Sequence, residues 1–172
     1  MKKIVKFLIF FIIWSGLMII HIAGLSAWGQ FGVLWHLPLW FIVLGYFYLP
    51  RFWLWIVLII TGLALDIYYN FFGQELIALS LVGILLYWSL RRWLVHKNFI
   101  SFFLAAVLAI LGYTFGVWLW QNGIIIWLRP DDYWTMQWSV VWHFWLLNIS
   151  ALVMIYLIIN LTNNFAHHVQ KR

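Results

Sequence analysis

Three side chains in this chain are placed where they could do chemistry: His21, Asp66 and His143. Each lies inside a long apolar stretch, where an ionisable group needs a partner or a water-filled cavity. Asp66 sits in "ITGLALDIYYNFFGQELIALS", framed by Gly62 and Gly73. One carboxylate and two imidazoles could form a hydrogen-bonded cluster that fixes helices together. They could also line a ligand pocket or make a facial metal set. The two histidines alone could clamp a haem iron. A proton relay would need further acids leading across the chain, and none continues from Asp66. No spacing supports a metal set, so the cluster is the expected use and no cofactor or metal is expected.

Recognisable catalytic patterns are missing. The sequence has no G-x-S-x-G, no H-E-x-x-H, no phosphate-binding glycine loop and no pair of carboxylates within one apolar stretch. Asp131 and Asp132 follow Pro130 and read as turn chemistry in a solvated loop. With no cysteine in the chain, disulfides, thiol catalysis and iron–sulfur ligation are excluded. His36, His96, His167 and His168 read as boundary, loop and tail residues. The expectation is a protein without catalytic activity.

The elements that must position these residues are membrane spans. Of 172 residues, 67% are hydrophobic and only 8% charged, with mean hydropathy +1.00. A soluble domain carries about a quarter charged residues. Punctuation divides the chain into six helices, at about Phe7–Ala27, Phe31–Leu49, Phe52–Phe72, Leu76–Leu90, Phe99–Trp120 and Trp138–Leu161. Gly29 and Gly32, Pro50-Arg51, Gly73-Gln74-Glu75 and Arg91-Arg92 to Asn98 mark the first four breaks. The fold class is therefore all-α, a single polytopic domain over residues 1–172. The basic start could pass for a signal peptide, but its apolar stretch exceeds the usual length of about 7–15 residues and reads as an uncleaved first helix.

Six spans put both ends on one side, and charge selects the side. Lys2, Lys3, Lys6, Arg51, Arg91, Arg92, Lys97, Lys171 and Arg172 fall together, with only Arg129 opposite. Both termini are expected in the cytoplasm. At 1.5 Å per residue, His21 and Asp66 then lie about 21 Å from the cytoplasmic boundary, and His143 about 8 Å below the outer one. The hydrocarbon core is about 30 Å thick, so all three share one outer layer. No basic patch with interleaved aromatics lies outside the spans, so nucleic acid is not an expected partner.

Two further features belong to packing. Trp28, Trp35, Trp53, Trp93, Trp120, Trp134 and Trp138 fall near span ends, as an interfacial belt requires. Small residues trace close helix contacts: Gly62 and Gly73 on helix three, Ser80 and Gly83 on helix four, and Ala105, Ala109, Gly112 and Gly116 along one face of helix five. That last face could pack within the bundle or dock a partner helix.

The region from Leu37 to Trp88 resembles the rod shape-determining protein MreD family. The resemblance rests on Pro38 opening helix two, Arg51 in a basic turn, Gly62-x-x-x-Asp66 closing helix three, then Gly73, Leu76, Ser80 and Tyr87. His36-Leu37 and Asn70 depart from that pattern. The resemblance implies a multi-pass protein of the bacterial cytoplasmic membrane in the cell-elongation machinery. Its partners would be an MreC-type protein and, through it, RodA and a penicillin-binding transpeptidase. A second family of similar size is the substrate-binding S components of energy-coupling-factor vitamin transporters. In that reading the His21, Asp66 and His143 layer would line an outward pocket, Leu128–Trp134 would cap it, and Ala105–Gly116 would dock the transporter. The short Trp28–Gly32 connection leaves little to cover a ligand and favours the scaffold.

Overall fold

A computed structural model describes residues 2–24, 36–70, 73–92, 98–125 and 138–170. Nearly all of its described residues are helical, in six α-helices. They are α1 Lys2–Ile19, α2 Leu37–Tyr48, α3 Arg51–Tyr69, α4 Gln74–Arg92, α5 Phe99–Leu119 and α6 Trp138–Gln170. Two helices end in wider π-helical turns, Ile20–Gly24 after α1 and Trp120–Ile125 after α5.

Local chemistry explains most boundaries. α2 starts at Leu37 rather than the expected Phe31, because His36 caps it and Pro38 occupies its first turn. Proline suits that position, where its missing N–H would have had no helical partner. Residues 31–35 lie outside the described set. α2 and α3 part at Leu49-Pro50, where Leu49 is extended. α3 stops at Tyr69, short of the expected Phe72, because Asn70 turns left-handed at φ 56°. Asn98 caps α5, its side-chain oxygen accepting the Ser101 N–H at 2.8 Å. α1 and α4 run beyond the expected spans into the charged residues at their ends, and α6 continues past Leu161 to Gln170.

Three stretches are long and apolar enough to cross a membrane: Arg51–Tyr69, Phe99–Gly123 and Trp138–Leu161. Three more are apolar but shorter: Ile9–Ala23, Leu37–Tyr48 and Gln74–Ser89. The 12 residues of α2 reach about 18 Å, well under a bilayer core.

α4 packs between α3 and α5, α2 touches α1, α3 and α5, and α6 lies along α5. The core is made by Leu39, Ile42, Leu58, Leu79, Leu86, Ala109 and Leu152, all fully buried. Hydroxyl and indole groups knit it further. The Trp14 indole N–H donates to Thr61 Oγ1 at 2.9 Å, and the Tyr46 hydroxyl donates to the Leu86 carbonyl at 2.6 Å.

The small-residue faces are used inside this packing. Ala105, Ala109, Gly112 and Gly116 are buried. Gly112 faces Leu85 and Val82, and Gly116 meets the backbone of Ala78. The α5 face is thus closed by α4 and is not open to a partner helix. Gly83 packs on Leu58 and Trp55 of α3, while Ser80 beside it is half-buried. Much of what remains exposed is apolar. α1 shows Ile9, Ile12, Ile13 and Ile19; α6 shows Trp142, Leu146, Met154, Leu157 and Leu161.

Candidate functional site

The ends of α1, α3 and α5 meet the starts of α2, α4 and α6 at one end of the bundle. A buried polar cluster forms there, and all six helices contribute to it.

Asp66 explains its own presence in an apolar run. Its Oδ1 accepts the Glu75 N–H at 2.8 Å and its Oδ2 accepts the Leu76 N–H at 3.0 Å. The first N–H groups of any helix lack helical partners. A side chain just before the helix usually accepts them. Gly73, which precedes α4, has none, so Asp66 does this work from α3. A carboxylate is suited to it, because the helix N-terminus carries partial positive charge. Gly62 lies one turn earlier on the same face. A Cβ there would sit 2.6 Å from Leu76 Cα, so only glycine lets α3 approach the capped turn. Gly73 itself has φ +82° and faces the Trp120 ring.

Glu75 is buried beside this cap. Its Oε1 accepts the Tyr113 hydroxyl at 2.8 Å, and its Oε2 lies 3.5 Å from His36 Nε2. On its other side, His36 Nδ1 accepts the Leu39 N–H at 3.1 Å. A nitrogen that accepts carries no proton, so the ring proton is on Nε2, the nitrogen nearer Glu75, whose Oε2 completes no hydrogen bond at that distance. His36 thus caps α2 and links it to α4 at once. Its ring also lies 4.4 Å from Tyr113 and 5.4 Å from His21, centroid to centroid.

His21 reaches the cluster from the π-helical turn after α1. It is buried, with Nε2 3.2 Å from the Tyr69 hydroxyl. The wider winding of that turn re-aims residues at a helix end, a feature common at functional sites. The matching turn after α5 carries Gln121, whose amide donates to Gln74 Oε1 at 3.1 Å. Asn148 joins α6 to the rest. Its Oδ1 accepts the His36 backbone N–H at 3.1 Å and the Trp40 indole N–H, and its amide donates to the Phe144 carbonyl.

The three residues singled out by sequence therefore separate. His21 and Asp66 lie at the cluster. His143 does not reach it: it sits on the exposed side of α6, bonded to the Ser139 carbonyl at 2.6 Å. Helical register is the reason. His143 and the buried Asn148 are five residues apart, more than one turn of 3.6, so they point in different directions. A haem clamp or facial set using His21 with His143 is not assembled. Among the described residues, no group of three or more His, Asp or Glu is placed to hold a metal. Arg129, Asp131, Asp132, the Leu128–Trp134 cap and the Trp28–Gly32 connection lie outside the described residues.

Tyr69, which the sequence places on one stripe of helix three with Gly62 and Asp66, joins the cluster, as do His36, Glu75, Tyr113 and Asn148, which the sequence does not single out. Signals existed for two of them. Asn148 is a lone amide in an otherwise apolar helix, the kind of residue that bonds across helices. His36 stands two residues before a proline, at a capping position.

Replacing Asn148 with alanine strips the His36 N–H and the Trp40 indole of their shared acceptor. The expected loss is about 2 kcal/mol of stability. Thermal unfolding of the full chain in detergent would measure it, and wild-type stability for N148A would show that α6 docks without this bond.

The chemistry the cluster performs within these contacts is to terminate and join helices. No protein-family model, no curated protein and no solved structure matches the chain.

Proposed function

We propose that this chain is a six-span protein of a bacterial cytoplasmic membrane with both termini in the cytoplasm. In this reading it is a non-catalytic scaffold of the cell-elongation machinery that holds an MreC-type partner, and through it RodA and a transpeptidase. Three apolar helices of spanning length and the segregation of basic residues support the membrane placement. One observation carries the scaffold role. Both acids among the described residues, Asp66 and Glu75, hold contacts inside the bundle, while α1 and α6 expose mostly apolar side chains. Such a body presents surfaces for lipid and for other spans rather than groups for a reaction. The Gly62-x-x-x-Asp66 element behind the MreD resemblance also gains a physical role as the lock between α3 and α4. The burial of Ala105, Ala109, Gly112 and Gly116 inside the bundle weighs against the transporter-component alternative, which would need that face for docking.

The test is a mild solubilisation of the host's membranes, capture of the tagged full chain, and mass spectrometry of what accompanies it. An MreC-type protein with RodA or a transpeptidase is the expected result. Recovery of a transporter's membrane subunit with its ATPases, or of a bound vitamin, would replace the scaffold reading.

A further inference from the structure

The end of the bundle opposite the polar cluster carries a small cleft between α2, α3 and α4. Tyr46, Leu49, Leu54 and Trp55 wall it, and Gly83, packed on Leu58 and Trp55, lines its inner side. Arg51 and Tyr87 complete it from exposed positions, with the guanidinium carbon 5.2 Å from the centroid of the tyrosine ring, and the cleft itself is only about 20 Å³. That distance suits a cation held over an aromatic face.

Among the described residues no acid lies near this cleft. Both acids among the described residues, Asp66 and Glu75, lie at the far end of the bundle. Arg51 is also the first residue of α3, so the partial positive charge of a helix N-terminus adds to its own. One turn beyond Tyr87, α4 ends on Arg91-Arg92. A cation at the mouth of an apolar, aromatic-lined groove fits a molecule with an anionic head and a hydrocarbon chain. Free phosphate would leave the groove walls unmatched, and a neutral lipid would leave Arg51 unmatched.

We propose that this cleft marks a binding site for an anionic phospholipid, with its phosphate on the Arg51 guanidinium at the cleft mouth and an acyl chain lying outside it, across the half-exposed faces of Leu49 and Trp55. The proposal rests on the membrane reading above. It names a ligand site at the end where the basic residues gather, and anionic lipids draw basic residues to a cytoplasmic leaflet.

The test titrates the full chain in neutral detergent with phosphatidylglycerol, phosphatidylcholine or inorganic phosphate, following the shift in thermal midpoint. Arg51→Gln is run beside the wild type, with helical content checked by circular dichroism. The wild type should prefer phosphatidylglycerol, and Arg51→Gln should bind it about fivefold more weakly with phosphatidylcholine binding unchanged. Equal phosphatidylglycerol binding by wild type and variant would overturn the site. So would a wild type that does not distinguish the two lipids. Phosphate alone reproducing the shift would reduce it to a simple anion site and overturn the lipid. Flotation with vesicles of phosphatidylcholine, with and without phosphatidylglycerol, separates the two levels. A chain that floats with neither loses the membrane reading and this site with it; one that floats with both but ignores Arg51→Gln loses only the site.

Discussion

Replacing Asp66 with leucine should lower the stability of the bundle by about 3 kcal/mol. For a chain of this length that is a fall of roughly 6–12 °C in the unfolding midpoint. The residue is buried, and both of its oxygens are engaged by backbone N–H groups of α4. Leucine fills similar space but accepts nothing, so the Glu75 and Leu76 N–H groups lose their partners in a water-poor setting. Charge-assisted bonds are about twice as strong as neutral ones, which puts the loss at the upper end of capping effects. Asp66→Asn separates capping from bulk. It keeps one acceptor oxygen and turns an amide toward the other N–H, so it should fall between wild type and Asp66→Leu. Hydrogen exchange should quicken first in the opening turn of α4. Wild-type stability of Asp66→Leu in detergent would rule out the trans-cap and leave Asp66 without a structural role.

Much of this fold could be read from the residues, and the failures are local. Helix number and type follow from apolar runs broken at Pro50 and Gly73, which are backbone effects visible in one dimension. The start of α2 was missed because the apolar run from Phe31 to Leu37 hides a cap. Only the bond from Leu39 N–H to His36 Nδ1 makes the break at His36 plain. The polar site was half legible. Depth along a helix follows from residue counting, and it brought His21 and Asp66 to one level. Direction around a helix does not follow from counting alone, and it excluded His143 in favour of Asn148. Glu75 was hidden for another reason. Beside Gly73 and Gln74 it reads as a solvated turn, and only the arrival of Tyr113 from α5 and His36 from α2 shows it to be buried. Those contacts join residues 38 and 39 positions apart, a separation that no local pattern encodes.

The same Gly→Ala change should have opposite signs at different places in this bundle. In a helix interior alanine is normally favoured over glycine by up to about 1 kcal/mol. Gly16 of α1 has nothing within 4 Å of an added Cβ, so Gly16→Ala should be neutral or stabilising by that amount. At Gly62 and Gly116 the added carbon would meet backbone, Leu76 Cα and Ala78 Cα, each at 2.6 Å. Backbone cannot rotate aside as a side chain can, so the helices must part. Each of these variants should cost about 2 kcal/mol, in the range of overpacked cores. The two sites lie on either side of the opening turns of α4, where α3 and α5 both close in. Gly62→Ala should also weaken the Asp66 cap, because it pushes α3 away from the N–H groups that Asp66 holds. Combined with Asp66→Asn, its effect should then be smaller than the sum of the two, while Gly16→Ala combined with Asp66→Asn should add. Thermal midpoints of the three alanine variants and the two double variants measure all of this together. If Gly62→Ala behaves like Gly16→Ala, α3 and α4 do not meet through glycine, and the lock that ties Gly62 to Asp66 is wrong. If it destabilises but adds fully with Asp66→Asn, close packing and capping are separate devices that happen to share Leu76.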